Sequence, residues 1–64
     1  MDRNYYNKKA SDRIVKIRKL LRISQKDMSG MLGIDSAMLC RYEHCKSPIP
    51  AWLYLAVDDM LEKA

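Results

Sequence analysis

Cysteine, glycine and long apolar runs are all scarce in this chain, and each scarcity excludes a class of protein. Its 64 residues include two cysteines, two glycines, two prolines and one histidine. Cys40 and Cys45 stand close together in what reads as a helix followed by a turn. That is not the spaced, even framework of a small secreted disulfide scaffold, so reduced thiols in a cytoplasm are the expected state. No apolar stretch approaches the ~18 residues that mark a membrane span, and no basic start leads into an apolar segment, so an export signal is not expected. Cys40, His44 and Cys45 have no second cluster to pair with, unlike the ligands of a structural zinc site. Neither a metal nor a cofactor is therefore expected. His44 has no nucleophile or free carboxylate at catalytic spacing, which argues against an enzyme. There is no internal repeat and no low-complexity run.

Acidic residues are scarce at one end only. From Met1 to Ser24 there are eight basic residues and two acidic ones. Gln25 to Lys46 is balanced, and Ser47 to Ala64 has one basic residue against three acidic. The overall charge of +4 is therefore polarised. Such a distribution suits a polyanion on one side and a neutral surface, or a copy of the same chain, on the other. A chain of this size buries only about 60% of the surface it exposes when unfolded, so a partner subunit would help to stabilise it.

The apolar residues recur at helical spacing in short pieces. Residues 1–10 have no such period and read as a flexible arm. With Ser11 as N-cap, a first helix is predicted from Asp12 to Arg22, with Ile14, Ile17, Leu20 and Leu21 as its apolar stripe. Ser24 caps a second helix, Gln25 to Leu32, with Met28, Met31 and Leu32 inward. Gly33 follows it, where a left-handed backbone is needed that glycine adopts cheaply. Asp35 caps a third helix ending near Glu43, with Leu39 and Tyr42 inward. Pro48 and Pro50 break the chain, and Pro50 is placed to open a fourth helix running to Lys63. This last helix is apolar nearly all round between Ala51 and Val57, more than one core face can use. Trp52, Leu53, Ala56, Val57 and Met60 are accordingly expected to bury a second surface against another copy.

The short helix, glycine-containing turn and second short helix resemble the helix-turn-helix of the lambda-repressor-like family, the phage repressor, Cro and XRE type of regulator. In that family the first helix of the pair begins with a glutamine after a capping residue, as Ser24 and Gln25 stand here. Met28, Leu32, Ile34, Leu39 and Tyr42 fill its apolar positions, and Glu43 its glutamate near the end of the second helix. The resemblance runs from Ile14 to about Leu61. It implies an all-α, four-helix domain over residues 11–64 whose third helix enters the major groove of double-stranded DNA. A small autoregulatory repressor, of the kind carried by phages and mobile elements, would bind an inverted repeat as a homodimer.

Periodicity turns Ser36, Ala37, Cys40, Arg41 and His44 outward on the third helix. The resemblance assigns base reading to Ser36, Ala37 and Arg41. Cys40 shares their face, and Arg41 is the residue able to grip a guanine bidentately. Asp35 is expected to cap rather than read. Ser24, Gln25, Lys46 and Ser47 are expected at phosphates, with Lys8, Lys9 and Arg13 contributing if the arm lies along the duplex. The resemblance makes Arg18 structural, paired with Glu43. Three features depart from the family. Ser29 replaces a small alanine, so its hydroxyl needs a partner. Cys45 stands where glycine is usual, so it either takes a positive φ or changes the turn. A fifth helix is missing. The competing expectation is a protein-interaction module, antitoxin-like or dimerising, that uses the apolar last helix.

Overall fold

Each helix starts where a side chain or a proline deals with its first unpaired N–H groups. The computed structural model describes residues 2–64, which form α1 (Arg3–Leu21), α2 (Gln25–Leu32), α3 (Ser36–Glu43) and α4 (Ala51–Glu62). No strand occurs among the described residues. Asp2, Ser24 and Asp35 are the N-caps of α1, α2 and α3, each accepting a bond from a backbone N–H one or two residues inside the helix. Pro50 takes the N-cap position of α4 without a side-chain bond, so that helix begins one residue later than expected. The extents are 32 × 24 × 18 Å, the longest close to the ~28 Å that nineteen helical residues span.

The first expectation to be corrected concerns the amino end. Among the residues assigned to a flexible arm, 3–10 are helical, and Ser11 is no cap but a buried residue in mid-helix, 1% exposed. The inward stripe of α1 does not stop at Ile14. It continues backward through Ser11 and Asn7 at four- and three-residue spacing, written in polar residues that hydrophobic periodicity does not register. Ser11 Oγ donates to the Tyr42 carbonyl at 2.7 Å, which anchors the C-terminal turn of α3 to α1.

The core takes residues from all four helices: Ile14 and Ile17 from α1, Met28 from α2, Leu39 from α3, and Leu53 and Val57 from α4. Leu20 and Met31, expected inside, are 59% and 64% exposed. Each lies roughly a third of a turn from the centre of its helix's buried stripe, at 3.6 residues per turn. On α2 the inward side belongs to Met28, Leu32 and the small Ser29. Ser29 is 3% exposed, and its hydroxyl donates to the Lys26 carbonyl at 2.8 Å, which satisfies the group that departs from alanine. No described helix is long and apolar enough to cross a membrane.

The turns that close α1 and α2 are both left-handed. Gly33, at φ 71°, lets the Ile34 N–H reach the Ser29 carbonyl at 3.0 Å. A Cβ there would meet open space, so it is the dihedral and not crowding that requires glycine. At the end of α1 the same conformation falls to Arg22, at φ 58°, an exposed residue with a Cβ. The Arg22→Gly variant should therefore gain about 0.5–1 kcal/mol, relieved backbone strain outweighing the extra freedom of the unfolded chain. Thermal melting should show this as a rise of about 2–8 °C.

Candidate nucleic-acid interface

The inward end of α3 is held by one carboxylate. Glu43 Oε2 accepts from Arg18 Nε at 2.8 Å, and Oε1 accepts from Arg18 Nη2 at 3.1 Å and from Gln25 Nε2 at 2.9 Å. Arg18 also donates from Nη1 to the Ile23 carbonyl at 3.2 Å. The Glu43 side chain is 4% exposed and that of Arg18 18%. A parallel two-point grip with a third donor satisfies the buried charge, and it fixes the angles among α1, α2 and α3. Gln25 is thereby engaged inside the protein. Its expected phosphate contact would have to come from its backbone N–H or from rearrangement of the side chain. Ser24 Oγ accepts the Asp27 N–H at 3.0 Å as the cap of α2.

With that side fixed, α3 turns Ser36, Ala37, Arg41 and His44 to solvent, and Cys40 is half-exposed beside them. Arg41 makes no side-chain hydrogen bond or ion pair among the described residues, so its guanidinium is available to a ligand. The His44 ring folds back on its own helix, its Nδ1 lying 2.8 Å from the Cys40 carbonyl and 3.5 Å from Cys40 Sγ. A carbonyl oxygen only accepts, so Nδ1 carries the proton and donates. No group of three or more metal-ligating side chains is assembled among the described residues.

The segment after α3 is tied by hydrogen bonds to α1. Cys45 takes φ 60°, the first of the two outcomes that its place at a usual glycine left open. Asn7 holds this turn through three bonds. Its Nδ2 donates to Cys45 Sγ at 3.3 Å and to the Ser47 carbonyl at 3.5 Å, and its Oδ1 accepts from the Ile49 N–H at 2.9 Å. Lys46 and Ser47 are thus presented on a fixed loop, with Lys46 exposed. Sequence reasoning missed Asn7 and Ser11. The signal was present in their spacing from Ile14 and Arg18, which continues one helical stripe.

Two of the three cations near the amino end expected to contribute at phosphates are already paired. Lys8 Nζ lies 2.6 Å from Asp12 Oδ1, and Arg13 Nη2 lies 2.9 Å from Asp58 Oδ1. Each carboxylate raises the pKa of its partner, chiefly through the hydrogen bond. Lys9 sits over the Tyr5 ring, 5.2 Å from its centroid. The proposed surface on α4 also needs correction. Leu53 and Val57 are fully buried within a single chain and have nothing left to offer a second one. Ala56 and Met60 are half-buried, while Trp52 and Leu55 are 53% and 64% exposed. The outward apolar feature of α4 is therefore Trp52 with Leu55. Treating the helix as apolar all round hid which face its own core would claim.

No protein-family model, characterised protein or solved structure matches this chain.

Replacing Glu43 by glutamine should leave Arg18 inadequately paired and cost about 3 kcal/mol of stability. Urea unfolding would register this as a lower midpoint with an unchanged slope. Asn7→Ala should cost less, about 1–2 kcal/mol, since it strands half-buried backbone groups without leaving a charge unpaired.

Proposed function

We propose that this chain is a helix-turn-helix DNA-binding domain of the lambda-repressor-like type, with α2 as the positioning helix and α3 as the helix that enters the major groove. The observation that carries this reading is the division of labour on α3. Its inward side is fixed to α1 and α2 through Glu43, Tyr42 and Leu39, while Arg41, Ser36 and Ala37 stand in one outward row with the guanidinium unengaged. A reading helix needs this combination, because base recognition depends on side chains held in register by a rigid backbone. The basic residues of the first 24 positions supply a sequence-independent attraction for phosphate. Arg41 gives the main discrimination, gripping the O6 and N7 of a guanine, with Ser36 and Ala37 making weaker contacts and Cys40 beside them.

On this reading the protein is a small cytoplasmic transcriptional regulator, an autoregulatory repressor acting as a homodimer on an inverted repeat. Trp52 and Leu55, with the half-buried Ala56 and Met60, are the α4 residues left to join two copies. The same exposed pair favours the second reading, a module whose partner is another protein.

Selection of bound duplexes from a random library distinguishes the two. The expected result is an inverted repeat whose half-sites lie about 34 Å apart, one helical turn. Arg41→Ala should relax the preference at one base pair per half-site, at a cost of about 1–3 kcal/mol, and leave the rest of the motif intact. Failure to enrich any sequence, together with weak binding at physiological salt, would reject DNA reading and turn attention to Trp52 and Leu55.

A further inference from the structure

The helical start of α1 sets Arg3, Asn4 and Asn7 beside Lys46 and Ser47, the two loop residues already expected at phosphates. Because α1 begins at Arg3, its first two turns run alongside the loop that follows α3 and enclose a groove of about 690 Å³. Arg3, Asn4 and Asn7 line one side, Lys46 and Ser47 the other, and no carboxylate is among the lining residues. Neither Arg3 nor Lys46 forms an ion pair or a side-chain hydrogen bond among the described residues. This distinguishes them from Lys8 and Arg13, whose charges are met by Asp12 and Asp58. The groove therefore holds two unneutralised cations and hydrogen-bonding side chains.

Its walls are prearranged and adjoin α3. The Lys46 N–H donates to the carbonyl of Arg41 at 2.9 Å, so the loop wall begins one hydrogen bond from the backbone of the proposed reading residue. Asn7 holds the loop at Cys45, Ser47 and Ile49, which spares the groove the entropy of ordering a loop when a ligand arrives.

We infer that this groove takes the sugar-phosphate backbone of a duplex immediately beside the bases under α3, with Arg3 and Lys46 each neutralising a phosphate and Asn7 acting as a positioning residue. The inference rests on duplex DNA being the ligand, and it extends the contact surface beyond the helix pair to the first turns of α1. The two unpaired cations select a phosphodiester over an apolar partner, and Asn4 and Ser47 offer its oxygens hydrogen-bonding groups beside the apolar Pro48 and Ile49. Proximity to Arg41 selects a duplex over a free anion.

The test measures affinity for a short mixed-sequence duplex between about 50 and 200 mM salt, where each phosphate contact contributes about 0.9 to the slope of log affinity against log salt. Arg3→Ala and Lys46→Ala should each flatten that slope by about 0.9, so the affinity lost over this fourfold range shrinks about 3.5-fold per variant. Base preference should be unchanged in both. Lys63→Ala, whose lysine is paired with Asp59 on α4, should leave the slope as it was. If the wild-type protein binds duplex with a base preference but both groove variants keep its slope, the groove is not a backbone site and the reading of α3 still stands. Equal flattening by Lys63→Ala would also overturn the inference, because the slope would then report total charge alone. If the wild-type protein binds no duplex, both this inference and the proposed function fall. Backbone amide shifts at Arg3 and Lys46 supply the second arm. They should move with duplex and not with inorganic phosphate at equal ionic strength, and equal movement with phosphate would make the groove a simple anion site.

Discussion

Three helices of this small domain meet at one carboxylate. Glu43 accepts two bonds from Arg18 and one from Gln25, so the last turn of α3, the opening of α2 and the last turn of α1 share a single buried charge. Eight-residue helices such as α2 and α3 are marginal in isolation, and their apolar faces contribute few core residues. Hydrophobic burial brings the helices together but is poor at fixing angles between them. A planar guanidinium gripping a carboxylate at two points is good at it. The cost is that the arrangement cannot lose one partner without stranding the other in a place water scarcely reaches.

Around that point the polar contacts form a second framework alongside the apolar core. Ser11 holds the carbonyl of Tyr42, Asn7 holds the loop from Cys45 to Ile49, and Ser29 turns its hydroxyl back onto its own helix. Among the described residues no buried side-chain nitrogen or oxygen lacks a partner. Polar residues in so small a core specify one packing where apolar ones would tolerate several, and a helix meant to hold side chains in register benefits from this. The proposed function rests on that rigidity, as does the groove between α1 and the loop.

Legibility in the sequence followed the physical signals. The boundaries of α2 and α3 were readable because caps are local chemistry: Ser24, Gly33 and Asp35 each act on a backbone group within a few residues. The ion pair of Arg18 with Glu43 was readable through the family resemblance, since nothing in the spacing of two residues 25 apart reveals it. The first half of α1 was not, because Asn7 and Ser11 face inward to meet backbone groups that are distant in sequence, and their polarity looks like solvent exposure. The outward face of α4 was not readable either. Where nearly every position is apolar, periodicity cannot choose the side that packs, and Leu53 and Val57 belong to the core only because α1, α2 and α3 occupy that side. Cys45 is legible as a departure from glycine, but the bonds from Asn7 that accompany its positive φ come from tertiary contact alone.

The claim that one carboxylate couples three helices is tested most directly by a double-mutant cycle between Arg18 and Gln25, both of which donate to Glu43. Unfolding free energies of Arg18→Lys, Gln25→Ala and the double variant would be compared with the wild type. A coupling energy of about 0.5 kcal/mol or more is predicted, because both side chains donate to Oε1 and the loss of one changes what the other can gain. Additivity within about 0.3 kcal/mol would contradict the account, since the two donors would then act as separate contacts and the carboxylate would hold α1 and α2 independently.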